Sequence, residues 1–301
     1  MENISYNHEN SERLDKFLVN DVGGYSRSQW QKIIKSGFVL VNDERALGKH
    51  KLQTGDTVTI SQRPEFNGAE LPDMDIEVLS KTPDYLVIYK PSGLPVHPDS
   101  KHLSNTLVQQ LTKKYPELAD VDPGSNRSGL VHRLDKDVSG VMVVARTKEM
   151  FEHLKAQFQK RTVYKEYLAL VHGTLENDEG EFVSTMQRDK KTGKMIVRPH
   201  NQEGKKAITK YSVIKRFDHF TYVKIIIETG RTHQIRAVMR SLDHPIVGDT
   251  LYMKKKVKAN IDISRPFLHA HILSFDNFTQ ERITTTAELP SELLNIITSL
   301  S

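Results

Sequence analysis

Ten residues in the first quarter of the chain, Arg63 to Pro72 (RPEFNGAELP), contain Pro, Gly and Asn and show no hydrophobic period. They separate two stretches whose apolar patterns differ in kind, and this break constrains the fold more than any other feature. The 301 residues therefore read as a small module over 11–62, a linker over 63–72, and a large domain over 73–301. At roughly 150 residues per domain the length can support two cores.

The small module has an α+β pattern. Ser11 is placed to cap a helix with Leu14, Phe17 and Leu18 on one face, and Ser26 or Ser28 to cap a second with Trp30, Ile33 and Ile34. Gly37 stops that helix. A strand at Phe38 to Val41, a polar turn at Asn42 to Arg45 and an alternating strand at Thr57 to Ile60 follow. Past the linker the pattern is strand-rich, with extended segments at 76–79, 85–89, 141–145, 164–171, 211–214, 221–227 and 267–275. Helical periodicity occurs at 106–115, 150–159, 235–242 and 291–297. Strands following strands, with helices irregularly between them, predict an α+β domain around a mixed, mainly antiparallel sheet. Neither GxGxxG nor GxxxxGK[ST] occurs, so nothing suggests a nucleotide cofactor.

Composition narrows the class of function. The chain has no cysteine, which excludes disulfides, thiolate nucleophiles and Cys-ligated metals. The opening MENISYNHEN lacks the basic and apolar regions of a secretion signal, and no apolar run approaches the roughly 20 residues of a spanning helix. A cytoplasmic protein with no membrane partner is expected. The net charge of +5 suits a polyanion, and its distribution is more telling. Between Arg188 and Arg216 ten cationic residues, among them Lys190, Lys191, Lys194, Lys205 and Lys206, face only Asp189 and Glu203. A second cluster, Lys254 to Lys256 with Lys258, follows. Each alone reads as a solvated loop; together they read as phosphate contacts.

Two segments concentrate reactive side chains. Gly129 to Gly140 (GLVHRLDKDVSG) lies directly before the apolar strand VMVVA, where a rigid scaffold can present a carboxylate such as Asp135. An Asp there can also do no more than satisfy loop amides. Glu228 to Arg236 (ETGRTHQIR) leads from strand into helix, with Thr232 as a cap and Arg236 beside the buried stripe of Ile235, Val238 and Met239. A guanidinium keeps its charge on burial and can hold a carboxylate in a fixed site. His269 and His271 share a strand face near His132, His233 and His244 in sequence motifs, but such spacing says little for a metal, and none is expected.

The motifs YKPSGLPVHP, GLVHRLDKDVSG, KEYLALVHG, TGRTHQIR, HPIVGD and RPFLHAHILSF resemble, in that order, those of the RluA-type pseudouridine synthases. Residues 11–62, through RLDKFL, SRSQWQKIIKSGFVLVND and LQTGDTVTI, resemble the αL RNA-binding module first known from a small-subunit ribosomal protein. The resemblance implies a pseudouridine synthase-like fold, RNA as substrate and no cofactor. It implies that Asp135 is the catalytic aspartate, Arg236 its ion-pair partner and Tyr167 the aromatic residue packed on the uracil. His132 and Arg133 would line the RNA-facing loop, Leu268 would wall the pocket, and Arg27, Lys32 and Lys35 would contact phosphate. Val138 departs from the Thr usual in that family, so a hydroxyl hydrogen bond is absent there. The joining of an N-terminal RNA-binding module to such a catalytic domain points to large-subunit ribosomal RNA ahead of transfer RNA. A non-catalytic RNA-binding or ribosome-assembly protein, and a metal-dependent hydrolase built on Asp135 and histidines, are the competing readings.

The residue types suit the reaction. Isomerisation breaks the C1′–N1 bond, rotates the uracil and joins C5 to the same sugar carbon. A carboxylate can attack C1′, attack C6, or assist loss of a sugar proton, and sequence does not choose among these. Each route needs Asp135 ionised. Burial raises a carboxyl by about 3 to 5 units from roughly 3.9, whereas an adjacent Arg lowers it by about 1 to 3. The base must also leave its stack, at a few kcal/mol, before a side chain can reach it. Tyr164, three residues before Tyr167, points to the other strand face.

Overall fold

The structure, a computed structural model, describes residues 2–25, 27–62, 73–98, 105–122, 127–189, 191–253 and 261–300. Ser26, the expected linker, Lys190 and the cluster Lys254 to Lys256 with Lys258 lie outside the described residues. The chain divides into two compact units, Met1–Pro72 with His97–Gln109, and Asp73–Val96 with Gln110–Ser301.

Up to residue 62 the elements are β1 (Glu2–Ser5), β2 (Glu12–Arg13), α1 (Leu14–Phe17), α2 (Arg27–Lys35), β3 (Val39–Val41), β4 (Glu44–Arg45), β5 (Lys51–Leu52) and β6 (Thr57–Ile60). Strands β1, β6, β3 and β4 form an antiparallel sheet in that order, and β2 pairs with β5. Trp30, Ile33 and Ile34 share one helical face and are buried with Phe17, Leu18, Val39 and Val58. Each such side chain contributes about 1.5–3 kcal/mol on burial. Ser11 does not cap α1. Arg13 holds the cap position without a side-chain bond, because pairing with Lys51–Leu52 draws Glu12–Arg13 into a strand. The carbonyls of His50 and Gly48 take the N–H groups of Leu14 and Asp15 instead, at 2.8 and 3.0 Å. A π-helical turn at Leu18–Val22 then ends the helix early, and Ser28 lies inside α2 rather than before it.

From residue 73 onwards the strands are β7 (Val78–Lys81), β8 (Tyr85–Lys90), β9 (Ser139–Ala145), β10 (Tyr164–His172), β11 (Glu179–Arg188), β12 (Met195–Pro199), β13 (Lys205–Arg216), β14 (Phe220–Ile227), β15 (Leu268–Asp276) and β16 (Arg282–Thr286). The helices are α3 (Leu107–Lys114), α4 (Lys148–Lys160), α5 (Gln234–Ser241) and α6 (Ser291–Ser299). The fold is α+β. One ten-stranded sheet runs β12-β11-β13-β14-β10-β15-β9-β8-β7, with β16 on β15. Among the described residues only the β9–β15 pairing is parallel, so the sheet is mixed and mainly antiparallel.

Sequence patterning explains the middle of this sheet. Every residue of β9 is buried, as an apolar run in a strand covered on both faces requires. Strands β11, β12 and β16 and the first half of β13 were not expected. The described basic residues between Arg188 and Arg216 occupy β11, β12, β13 and their connections, not one solvated loop. Their charge masks the strand pattern in the sequence, and lysines suit an edge such as β12 because they discourage further pairing.

Strand β15 contains a bulge. Glu166 of β10 faces Ile272, while the next residue, Tyr167, faces Ala270. His271 is thus the extra residue, which turns Leu268 and Ala270 onto the face that carries Tyr167. One strand further along, Gly140 pairs with Ala270 at φ +128°. A Cβ on Gly140 would fall inside the backbone of Ala270, and that φ is strained for any other residue. Gly140→Ala should therefore cost more than about 3 kcal/mol in urea unfolding; a loss below about 1 kcal/mol would contradict this packing.

Candidate active site

Asp135 stands on a turn closed by a hydrogen bond from the Val138 N–H to its own carbonyl, at 3.1 Å. Val138 is buried, so its apolar side chain fits the position at which the family usually has Thr. The turn is held from behind by the segment YKPSG. The Lys90 amine is fully buried and donates to the carbonyls of Pro91, Leu94 and Lys136 at 2.7, 2.9 and 2.9 Å. Gly93 N–H also donates to the Lys136 carbonyl, and the Ser92 hydroxyl to that of Asp137, at 3.0 and 2.9 Å. An ammonium has three N–H donors and here finds three acceptors. Burial still pulls the amine down to about 7, against the opposing pull of the Asp137 and Asp135 carboxylates.

Arg236 arrives on α5. His233, at the cap position with φ +52°, precedes the helix, and no side chain caps it there. Thr232 is therefore not the cap. The side-chain oxygen of Gln234, the first residue of the helix, accepts from Arg231 N–H and the Thr229 hydroxyl, at 3.0 and 2.8 Å, and so fixes the turn before the helix without capping it. The Gln234 amide donates to Ile208 and Thr209 of β13, which fixes the helix against the sheet. From this position Arg236 Nη1 donates to Asp135 Oδ2 at 3.1 Å. Its other two nitrogens, Nε and Nη2, donate to Asp249 at 2.6 and 2.8 Å. Burial works against the guanidinium charge, but the bonds to Asp249 and the charges of Asp249 and Asp135 outweigh it and raise its pKa. His233 Nε2 lies 3.9 Å from the same Asp135 oxygen. Burial lowers the pKa of His233, and Asp135 opposes that shift.

Tyr167 is buried, and burial together with the nearby Asp135 charge raises its pKa. The hydroxyl therefore keeps its proton, and it makes no hydrogen bond among the described residues. Leu268 and Ala270 share its sheet face through the bulge. Tyr164 instead donates to Glu166 on the opposite face, at 2.6 Å. Arg133 is exposed, with no ion pair or hydrogen bond among the described residues. His132 sits differently: its Nε2 accepts the Val143 N–H at 3.0 Å and its ring stacks on Phe158 at 4.7 Å. Burial, with the charge of Lys165, lowers it to about 3, so it is a neutral fastener of the segment. Both ring nitrogens of His269 are engaged, by Ser139 and the Ala287 carbonyl, each at 2.9 Å.

The expected phosphate ligands are spread over several elements. Lys191, Lys194, Lys205 and Lys206 are exposed on or beside β11, β12 and β13, and Lys194 reaches the Leu251 carbonyl at 2.7 Å. On α2, Lys32 and Lys35 are exposed. Arg27 is committed to Asp15, at 3.1 and 3.2 Å. Asp15 is fully buried; burial raises its pKa, but bonds from Arg13, Gln31 and Arg27 prevail and draw it down to about 2.

Sequence reading assigned no role to Lys90, Asp249 or Tyr252. YKPSG and HPIVGD were noted as motifs, yet the signal was present in the glycine of HPIVGD. Gly248 has φ +77°, and a Cβ there would collide with the Arg265 carbonyl. Only Gly allows the turn that delivers Asp249.

Comparison with known proteins followed this geometry. A family model described as RNA pseudouridylate synthase matches residues 84–241, slightly more than half of the chain, and an S4 domain model matches residues 12–58. The chain is 38% identical over 292 residues to the uncharacterized RNA pseudouridine synthase YlyB of Bacillus subtilis, covering 96% of this chain and 94% of that protein. It is 37% identical over 300 residues to the ribosomal large subunit pseudouridine synthase D of Xanthomonas campestris, covering 96% and 88%. Among solved structures, human RNA pseudouridylate synthase domain containing 4 matches with a TM-score of 0.57 at 26% identity, covering 74% of this chain and 92% of that one. Human RNA pseudouridylate synthase domain containing 1 shares the fold, with a TM-score of 0.58 at 23% identity, covering 79% and 97%.

Lys90 yields a pH-dependent prediction. Folded, its amine loses the proton near pH 7; unfolded, near 10.4. Below pH 7 both states are protonated and the cost of burying the charge is constant. Above pH 7 the unfolded chain binds more protons, so stability rises with pH. Wild type should gain about 2 kcal/mol relative to Lys90→Met between pH 7 and pH 9, read as the difference between their urea unfolding free energies. Parallel pH dependence of the two proteins would refute the assignment.

Proposed function

Because the chain belongs to the RNA pseudouridylate synthase family and carries an S4 domain, we propose that it isomerises specific uridines of large-subunit ribosomal RNA with Asp135 as the catalytic carboxylate. The chain is an RNA pseudouridine synthase, an isomerase acting on RNA. The observation that carries the finer reading is the 3.1 Å pair between Asp135 and Arg236, set beside Tyr167 and Leu268.

The reaction needs no atom from outside. The C1′–N1 bond breaks, the uracil turns, C5 bonds to C1′ and gives up its proton, and N1 ends with a hydrogen. Whether the carboxylate attacks C1′, attacks C6 or assists removal of a sugar proton, it needs a free, unprotonated oxygen. Arg236 takes Oδ2, and no hydrogen bond reaches Oδ1 among the described residues. That oxygen is the one we assign to the substrate. The side chain of Asp135 is 18% exposed, enough to meet a ligand and little enough for the guanidinium to act with limited water screening.

The target uridine must be everted, at a cost of a few kcal/mol. Tyr167 is assigned to receive the uracil ring, with Leu268 walling the pocket. Stacking of this kind returns about 1–3 kcal/mol per base. Exposed and unpaired, Arg133 is suited to fill the gap that the base leaves. Lys191, Lys194, Lys205 and Lys206 are assigned to phosphate, a role that positions RNA without reading its sequence. Residues 11–62 are the proposed RNA-docking module and 73–301 the catalytic domain. On α2 the phosphate contacts fall to Lys32 and Lys35, with Arg27 acting from its pair with Asp15. The choice of large-subunit ribosomal RNA is supported by the names of relatives such as that of Xanthomonas campestris. It goes with a cytoplasmic site of action; among the described residues no helix is long and apolar enough to cross a membrane.

The test is a pseudouridine map of total RNA from cells with the gene, without it, and complemented by Asp135→Asn. Wild type should convert one or a few uridines of large-subunit ribosomal RNA, and Asp135→Asn none. Restoration by Asp135→Asn would remove the catalytic role; sites confined to transfer RNA would move the substrate. Tyr167 separates stacking from proton transfer. Since its hydroxyl is protonated and unbonded, Tyr167→Phe should keep the rate within about threefold, while Tyr167→Ala should lose about 10- to 100-fold through the lost stacking. Single-turnover rates decide, and a collapse in Tyr167→Phe would assign the hydroxyl a chemical duty.

A further inference from the structure

We propose that Asp249 is the positioning residue of this site, which decides that Arg236 and His233 both approach one oxygen of Asp135 and leave the other free. The proposal rests on the catalytic assignment of Asp135 and adds what holds that carboxylate in a usable orientation.

The argument begins with the three nitrogens of one guanidinium. Left to a single carboxylate, an Arg fork prefers two parallel hydrogen bonds, one to each oxygen. Such a grip on Asp135 would occupy both oxygens and remove the nucleophile. Asp249 prevents it by accepting that fork itself, through Oδ2 from Nε at 2.6 Å and through Oδ1 from Nη2 at 2.8 Å. Only Nη1 remains, and it makes a single 3.1 Å bond to Asp135 Oδ2. Asp249 is fully buried and is itself fixed, because its Oδ1 also accepts the N–H groups of Leu251 and Tyr252, each at 3.0 Å. The carboxylate and its own turn therefore form one rigid element, and the plane of the Arg236 guanidinium follows from it.

The same turn sets His233. Tyr252, whose backbone is tied to Asp249, lays its ring 5.3 Å from the Arg236 guanidinium, a distance at which a cation is attracted to a ring face. Its hydroxyl accepts the Met195 N–H at 2.9 Å and stands 3.1 Å from His233 Nδ1. With the Met195 bond accepted, the hydroxyl proton is available for Nδ1. A neutral His233 then carries its own proton on Nε2, the nitrogen that lies 3.9 Å from Asp135 Oδ2. Arg236 thus donates to Oδ2 while the His233 ring stands 3.9 Å from the same oxygen, and both trace back to residues 249–252.

The experiment uses the full chain with total RNA purified from cells lacking the gene, which contains the unmodified target whichever RNA holds it. Single-turnover rates, with enzyme in excess, give a plateau for chemistry and a half-saturating concentration for binding. Asp249→Asn, which keeps the shape but not the charge, should lower the plateau about 100-fold, the scale of a misplaced catalytic group, with half-saturation within about twofold. Because Asp249 acts through Arg236, adding Asp249→Asn to Arg236→Gln should change the plateau by less than about threefold. A residue that only supports the fold would lower the folded fraction and multiply with Arg236→Gln, so unfolding curves are taken on the same preparations. If Asp249→Asn does not fold, Arg236→Lys replaces it: one ammonium cannot serve both carboxylates in this geometry, and the same drop is expected. A plateau near wild type in either variant, or fully multiplying losses, overturns the role of Asp249 while leaving Asp135 in place. A wild type that converts no uridine in that RNA sinks instead the catalytic reading beneath it.

Discussion

One guanidinium divided between two carboxylates is the interaction on which the rest of this site depends. Arg236 is nearly buried and Asp249 wholly so, and moving either charge out of water is unfavourable by several kcal/mol. Their mutual attraction offsets that cost only because the fork is geometrically matched and Asp249 gains two backbone N–H bonds. Adding Asp135 as a third charge leaves the cluster with one more carboxylate than guanidinium. Such a cluster contributes little to stability compared with an apolar core of the same volume. What it contributes is orientation, since each of its donors has a single acceptor within reach.

The fold explains why these groups can meet. Asp135 and Arg236 are 101 positions apart in the chain, and the sheet closes that gap by ordering its strands out of sequence, with β15 inserted between β9 and β10. The one parallel pairing, between β9 and β15, is short; it brings the end of the Asp135 segment against Ala270, across from Tyr167 on β10. Here the backbones approach so closely that position 140 admits no side chain. On the other side of the turn, Lys90, Ser92 and Gly93 hold the carbonyls of Lys136 and Asp137. With those peptide groups satisfied, the turn has few alternative arrangements, so the carboxylate it carries is placed through bonds to the turn's own carbonyls as well as by Arg236.

Much of this was legible in the sequence, and the limits have physical causes. Apolar runs such as VMVVA and YLVIY mark central strands because burial on both faces leaves no room for alternation. Helix α5 was visible from its stripe, but its start was assigned to Thr232 because a hydroxyl is the usual cap; in the structure no side chain caps it, and its first turn is held instead by the Gln234 amide, which donates to Ile208 and Thr209 across from it. Asp135 and Arg236 stood out as polar residues in motifs beside apolar patterns, but that they pair was implied only by the resemblance of those motifs to a known family. Asp249 did not, because its importance lies in a contact with Arg236 that no spacing reveals. Nor did β11 and β12, whose lysines and arginines resemble a solvated loop until the hydrogen-bond ladder is seen. His132 drew attention by its motif, although its ring faces Phe158 and a backbone amide.

The basic hairpin and the catalytic network are not independent parts. Lys194, at the start of β12, donates to the Leu251 carbonyl, and the next residue, Met195, donates its N–H to the Tyr252 hydroxyl. Met186, Ala207, Ala237 and Tyr252 pack into one apolar cluster, so α5 and the turn at 249–252 rest on the same strands that carry the exposed lysines. A displacement of β12 would move Tyr252 and, through it, both His233 and the ring lying against Arg236. The surface assigned to phosphate and the residues that orient the carboxylate therefore share a mechanical connection of two hydrogen bonds. Substitutions along β11–β12 bear on more than RNA affinity, since Met195 is bonded to the Tyr252 hydroxyl that stands 3.1 Å from His233 Nδ1.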